Sequence, residues 1–431
     1  MNTALLCLGA GAMTLLGSCV SYKDSPIDLV REEQAWKQQS LAVQGTKPLN
    51  LGKIQKIGLV LNADLNQARL KLAHSSNVAQ QSGWWNDPSI SFDAKQSLED
   101  VSVINLDAGL TFTIPVTGIP SLEKKTAEQY KESDYWALRQ AELTYLSTIE
   151  QEWKQLGIVR KRKELIAQRV REMKDEDARF SQLYKLGEID AATRQLTTKN
   201  YNTAVRDLQT AEQDELAQRM SLIKQAGLHP AAASVFRLDT SCPMNVPKAV
   251  TVPSPGELVS SPQIKSGMAA YAADEIQLKT EIRRQFPELE LGPAFTRDDG
   301  EKELGGSIGF NIPLWNHNRK AIAEAEGTRN SSRQATIALW RELLQNSREL
   351  AQEQQLVRSH CQDELNRLNL FSSNLVKLEQ LYKIGETSLA DLAEARQQVY
   401  ESRISFLDSL SKLTRTQTSL RYLIPPSSLA R

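Results

Sequence analysis

Aromatic side chains make up only 6% of this 431-residue sequence, too few to fill the cores of the two or three globular domains that such a length could hold. Net charge is lacking too: 52 Lys and Arg balance 52 Asp and Glu, so no field draws the chain to nucleic acid. Histidine is scarce, and His74, His229, His317 and His360 show no ligand spacing with one another or with cysteine. His360 and Cys361 adjoin, but neighbours on a helix point in different directions. There is no phosphate-binding loop, nucleophile elbow or dinucleotide fingerprint. These absences point away from an enzyme and predict neither cofactor nor metal site.

Proline is absent from two long tracts, between Pro120 and Pro230 and between Pro313 and Pro425, and glycine within them is limited to Gly157, Gly187, Gly227, Gly327 and Gly385. Such tracts read as helix. With a mean hydropathy of −0.42 and 24% charged residues, they are long solvated helices rather than core elements.

At the N-terminus, Ala4 to Ser18 form an apolar stretch of about fifteen residues, the length of a signal-peptide core and too short to span a bilayer as a helix. It ends in Leu16-Gly17-Ser18-Cys19, which resembles a bacterial lipobox and marks Cys19 as the lipidation site; an ordinary cleaved signal with an incidental cysteine is the alternative. No Lys or Arg precedes the apolar run, a departure from the usual pattern. Val20 rather than Asp follows the cysteine, which by the same resemblance favours the outer membrane over the inner one. Cys242 and Cys361 are the remaining cysteines of the mature chain, and two distant cysteines make no disulfide scaffold.

Compared with itself, the chain repeats at a period of about 198 residues. Leu183-Tyr184-Lys185-Leu186-Gly187-Glu188 recurs as Leu381-Tyr382-Lys383-Ile384-Gly385-Glu386, and Ile114-Pro115 as Ile312-Pro313. Asp87-Pro88 recurs, one residue out of step, as Phe286-Pro287. Each copy holds a helical lead-in (Leu59 to Gly83, then Ser261 to Gln285), a two-stranded hairpin and a long helical tract. The divisions are a signal peptide over 1–18, an N-terminal extension over 19–57, a first repeat over 58–227 with its hairpin at 88–114, a connector over 228–257, a second repeat over 258–424 with its hairpin at 287–312, and a tail over 425–431.

In the second tract Leu389, Leu392, Arg396, Val399, Arg403, Phe406, Leu410, Leu413, Gln417 and Leu420 follow steps of three and four, a heptad seam broken by polar residues. Leu138, Ala141, Tyr145, Ile149, Trp153 and Leu156 form a similar stripe in the first. Coiled-coil packing and a plain amphipathic bundle both satisfy this periodicity. Each tract turns at its Tyr-Lys-x-Gly-Glu: Gly187 and Gly385 suit the left-handed end of a helix, and Asp190 and Ser388 suit the cap of the next. From Pro120 to Leu186 the outgoing helix would reach on the order of 100 Å.

The hairpins alternate. Leu289, Leu291, Pro293 and Phe295 oppose Glu288, Glu290, Gly292 and Ala294, and after a charged turn over Arg297 to Glu303 the return strand sets Leu304, Ile308, Phe310 and Ile312 against Gly305, Ser307, Gly309 and Asn311. Ile90, Phe92, Ile104, Leu106, Leu110 and Phe112 repeat the pattern in the first copy. One apolar and one polar face is the pattern of a barrel with lipid outside and water inside. A half-buried hairpin of a soluble protein alternates likewise, but four strands leave two open edges, which lipid does not tolerate. Barrels begin at about eight strands, so copies of the chain must associate; two copies or three satisfy that condition equally.

Together these landmarks resemble the TolC-like outer-membrane efflux proteins, over almost the whole chain from Leu51 to Leu423. The resemblance implies a mostly α fold with a small β part: long coiled-coil helical hairpins and two β-hairpins per protomer, forming an α-helical tunnel and a shared transmembrane β-barrel as a homotrimer. It implies a lipid-anchored protein of a Gram-negative outer membrane, reaching into the periplasm as the duct between a periplasmic adaptor, an inner-membrane efflux pump and the exterior. The match places adaptor-binding tips at Lys185, Leu186, Gly187, Glu188, Ile189, Asp190 and at Lys383, Ile384, Gly385, Glu386, Thr387, Ser388. It places an acidic pore constriction at Asp391 and Glu394, where the first copy has Thr193 and Leu196. Trp84 to Pro88 and Ile114 to Pro120 look most like the subgroup associated with heavy-metal export. The competing reading is a lipid-anchored periplasmic coiled-coil scaffold without a pore.

Overall fold

The computed structural model describes residues 22–43, 48–96, 104–298, 301–312 and 314–425; the signal peptide, Cys19 and the tail from residue 426 lie outside them. The chain divides into two units, residues 1–44 and 45–431. In the first, helix α1 (Leu29–Ala42) starts where the Asp28 carboxylate accepts hydrogen bonds from the Val30 and Arg31 amides at 3.1 Å, satisfying amides that have no partner within the helix.

The second unit carries the repeat. Its first copy comprises α2 (Leu51–Leu61), α3 (Ala63–Gln81), β1 (Ser89–Gln96), β2 (Ile104–Ile114), α4 (Ile119–Lys185) and α5 (Ala191–Gln225). Short helices α6 (Ala232–Val235) and α7 (Pro255–Leu258) punctuate the connector, and the second copy comprises α8 (Pro262–Arg283), β3 (Leu289–Asp298), β4 (Glu301–Phe310), α9 (Arg319–Lys383) and α10 (Leu389–Arg421). The first lead-in is therefore two helices where the second is one. Asn62 makes the break: its side chain accepts from the Leu65 amide to start α3 and donates to the Gln225 carbonyl at the end of α5. Asn50 caps α2 by accepting from the Lys53 amide, so the expected boundary between Ile57 and Gly58 falls inside a helix.

Helices α4 and α9, of 67 and 65 residues, each extend roughly 100 Å at about 1.5 Å per residue. α4 is the spine, packing against α3, α5, α8 and α10. The expected seam of α10 lies inward, with Leu392, Val399, Phe406, Leu410, Leu413, Gln417 and Leu420 buried. One core joins Ile158 and Leu165 of α4, Cys361 of α9 and Phe406, Leu407, Leu410 and Leu413 of α10, with Cys242 and Met244 of the connector against it. Burial pushes the Cys361 thiol up to about 11, so it is protonated and inert as a nucleophile. The proline-rich connector has few backbone partners of its own, and side-chain amides supply them. Gln354 on α9 accepts from the Val250 amide at 2.7 Å and donates to its carbonyl at 3.1 Å, and Gln417 on α10 donates to the Lys248 carbonyl at 3.0 Å.

The strands form one antiparallel sheet in the order β1-β2-β3-β4. The two hairpins thus join across the repeat through β2 and β3, with Ala108 opposite Phe295 and Phe112 opposite Leu291. Gly292 permits this seam, because a Cβ there would collide with the Leu110 carbonyl. In the second hairpin the strands run further into the charged stretch than its charge suggested. Arg297 pairs with Lys302 and Asp298 with Glu301 in strand register, because ladder hydrogen bonds outweigh the low strand preference of charged residues.

Candidate functional site

The sheet's pairing sorts its side chains into two faces. One carries Phe92, Ala108, Phe295 and Leu304 in one row and Phe112, Leu291 and Ile308 in another. Phe92 is 77% exposed, Leu304 82% and Ile308 75%, an apolar face that no other described element covers. The other face carries Asp93, Asp107, Thr296 and Glu303 in one row and Lys95, Asn105, Asp298 and Glu301 in the next. Lys95 pairs with Asp107 at 2.9 Å, and Asn105 donates to Asp298 across the β2–β3 seam. β1 and β4 are the edges, each with one side of its ladder unpaired. Where the strands meet the helices, Trp84, Trp85, Phe286 and Trp315 stand exposed, the amphipathic border found where a membrane meets water. No described helix is long and apolar enough to cross a membrane.

The two expected tips are built alike. Lys185 ends α4, Leu186 follows it exposed, and Gly187 takes φ +75°, with its amide on the Tyr184 carbonyl and the Glu188 amide on the Leu183 carbonyl. Lys383 ends α9, Ile384 is exposed, and Gly385 takes φ +79°, with its amide on the Tyr382 carbonyl and the Glu386 amide on the Leu381 carbonyl. Both are left-handed helix ends that glycine adopts without strain. Half-buried Ile189 leads into Asp190, whose carboxylate accepts from the Thr193 amide at 2.8 Å. In the second copy Thr387 and Ser388 precede α10, and Ser388 exchanges hydrogen bonds with Asp391 in a capping box.

Asp391 and Glu394, one turn apart on α10, are both exposed. Asp391 Oδ2 accepts from the Ser388 hydroxyl at 2.6 Å and the Thr387 hydroxyl at 3.2 Å, and these bonds hold its carboxyl below the usual range. Its negative charge is therefore permanent near neutral pH, and part of its function is to start the helix. Glu394 borders a groove of about 480 Å³ between α4, α5 and α10, and accepts from Gln398 at 3.3 Å.

Sequence reasoning missed the charged network beside this groove. Arg169 of α4, only 5% exposed, donates to Gln397 of α10 at 2.8 Å and lies 4.0 Å from Glu176. Glu176 in turn receives Arg396 of α10 at 3.3 Å, and Arg396 reaches Glu379 of α9 at 3.5 Å. The two helical hairpins are thereby cross-tied near their tips. The signal was present as Arg396, a polar break in the α10 seam, but the identity of its partners needed the fold. No group of His, Cys, Asp and Glu able to hold a metal occurs among the described residues.

No family model and no curated protein matches the sequence. Solved structures do match. The outer membrane channel CmeC of Campylobacter jejuni superposes with a TM-score of 0.73 at 14% identity, covering 94% of this chain and 89% of that one. The outer membrane protein VceC of Vibrio cholerae gives 0.72 at 12%, covering 86% and 95%, and the outer membrane channel MtrE of Neisseria gonorrhoeae 0.70 at 14%, covering 86% and 88%. Likeness of this degree extends over most of both chains in each case, and the chain therefore has the fold of the TolC-like outer-membrane channels.

Proposed function

We propose that this chain is one protomer of a passive outer-membrane duct in a tripartite export system, carrying small molecules or metal ions from an inner-membrane pump and periplasmic adaptor to the exterior. The observation that carries this reading is the four-stranded sheet with an uncovered apolar face and two open edges, mounted on helices of 67 and 65 residues. Open edges and an apolar face of this kind are stable in lipid only when neighbouring copies continue the ladder. Three copies would supply twelve strands, the homotrimer that the family resemblance implies. Exposed Leu356, Leu370 and Val376 on α9 and Leu196 and Leu216 on α5 suit the packing of one protomer against the next around a helical tunnel.

Cargo would enter at the tips around Gly187 and Gly385, where the adaptor docks, pass the acidic girdle of Asp391 and Glu394, and diffuse through the water-filled barrel along its polar face. The chain performs no bond chemistry in this process. A lipid on Cys19 would hold the mature N-terminus at the membrane. Reconstitution in a planar bilayer tests the proposal. Discrete conductance steps from a detergent-extracted oligomer are expected, and a mature protein that is a stable water-soluble monomer without detergent would overturn it.

A further inference from the structure

In the second hairpin the apolar face does not run to the turn. Its last row there ends in Arg297 directly opposite Lys302, continuing Ala94 and Leu106 of the first hairpin, whose same face goes on for one more row, Gln96 opposite Ile104. Both cations are exposed, and neither has an ion-pair partner among the described residues. The described acids of this end, Asp93, Asp107, Asp298, Glu301 and Glu303, project from the opposite face, because alternation sends neighbours on a strand to opposite sides. Charge is therefore distributed unevenly through the thickness of the sheet: the polar rows hold these acids with Lys95 paired to Asp107, whereas the charged side chains of the apolar rows are the two cations Arg297 and Lys302.

The height of the row fits a membrane boundary. From Leu289 to Arg297 is eight residues along β3, or ~27 Å at about 3.4 Å per residue. A strand tilt of about 40° reduces this to ~21 Å of height, close to the ~25 Å apolar band of transmembrane barrels. The helix end of that band is marked by Trp84, Trp85 and Trp315, so on the second hairpin the opposite boundary falls at Arg297 and Lys302.

We propose that Arg297 and Lys302 form a binding row for the phosphate-bearing headgroups of the lipid leaflet at the hairpin-turn end of the barrel. The inference rests on the duct reading, which fixes the apolar face as the lipid-facing one. Arg297 presents a planar fork suited to phosphate oxygens and Lys302 a mobile point charge beside it. Pairing two like charges across a ladder is unfavourable without an anion between them, and a phosphate ester at the membrane surface supplies that anion.

The test reconstitutes the full-length oligomer in vesicles of equal phosphatidylglycerol and phosphatidylcholine, re-extracts it gently, and counts the retained lipids by mass spectrometry. The wild type should retain phosphatidylglycerol in excess. R297Q/K302Q should lower that ratio by about fivefold for each cation removed, with single-channel conductance retained as proof of assembly. K95Q, which removes a cation from the polar face, should leave the ratio unchanged. Inorganic phosphate added to phosphatidylcholine vesicles should not stabilise the oligomer, and stabilisation by it would show an anion site indifferent to lipid. If the double variant does not assemble, the wild type carries the test: its ratio must approach one as salt shortens the Debye length from about 30 to about 3 Å. A wild type that conducts yet shows no lipid preference, or a loss equal in K95Q, overturns the headgroup row alone. A wild type that neither inserts nor conducts overturns the duct reading with it.

Discussion

The tip glycines separate a structural from a docking role. Gly187 and Gly385 have φ of +75° and +79°, and a Cβ at either meets no atom within 4 Å. Replacement therefore adds only the backbone cost of a left-handed L-residue, about 1–2 kcal/mol, and the side chain's size should not matter within the protomer. G385A and G385W are then expected to unfold within a few degrees of each other, since about 1 kcal/mol moves the midpoint of a large domain by roughly 2–4 °C. G385N should lose least, because Asn tolerates the left-handed region. Gly227 provides the contrast, with φ +71° and a Cβ that would sit 2.6 Å from the Leu61 carbonyl oxygen. Strain and collision together should cost G227A roughly 2–5 kcal/mol. Helix content followed by circular dichroism on heating measures the stabilities, and copurification of the cross-linked adaptor from native membranes measures docking. G385W should lose the adaptor while G385A and G385N keep it. If G385A is as damaging as G227A, the tip is not free; if G385W retains the adaptor, docking lies elsewhere.

Burial would raise the Glu150 carboxyl, but Lys154 at 2.6 Å, Arg421 and the Tyr422 hydroxyl at 2.9 Å hold it below its ordinary value. Its stabilisation is thus fully present above the unfolded carboxylate value of about 4.3 and lost as pH falls through the lower folded one; E150Q should flatten this acid limb of the unfolding midpoint against pH. D391N/E394Q should weaken cation selectivity and block by multivalent cations in planar-bilayer recordings, and unchanged currents would count against the acidic girdle. I308R places a cation on the apolar face and should cost about 2 kcal/mol of insertion stability in vesicle refolding, whereas S307R on the polar face should be tolerated. G292V should open the β2–β3 seam through its collision with Leu110, leaving a helical protein by circular dichroism that forms no channels.

Periodicity made the helices, the repeat and both tips legible. Proline-free tracts admit little besides helix, the seam of α10 lies where its spacing put it, and glycine before a capping residue turns a helix whatever surrounds it. Alternation likewise revealed a two-faced sheet, since side-chain direction on a strand is a local property. Three other features depend on residues far apart in sequence, so no local pattern encodes them. One is the union of the two hairpins in one sheet through Gly292 and Leu110. A second is the fastening of the connector by Gln354 and Gln417, and a third is the meeting of Arg169, Glu176, Arg396 and Glu379 from three helices. The sequence by itself determined which segments are rods and which are ribbons, because hydrogen bonding and side-chain direction within them are short-range; only the tertiary structure decided which rods are tied together and which ribbon edges stay open, because those depend on packing between segments that the chain brings together from more than a hundred residues apart.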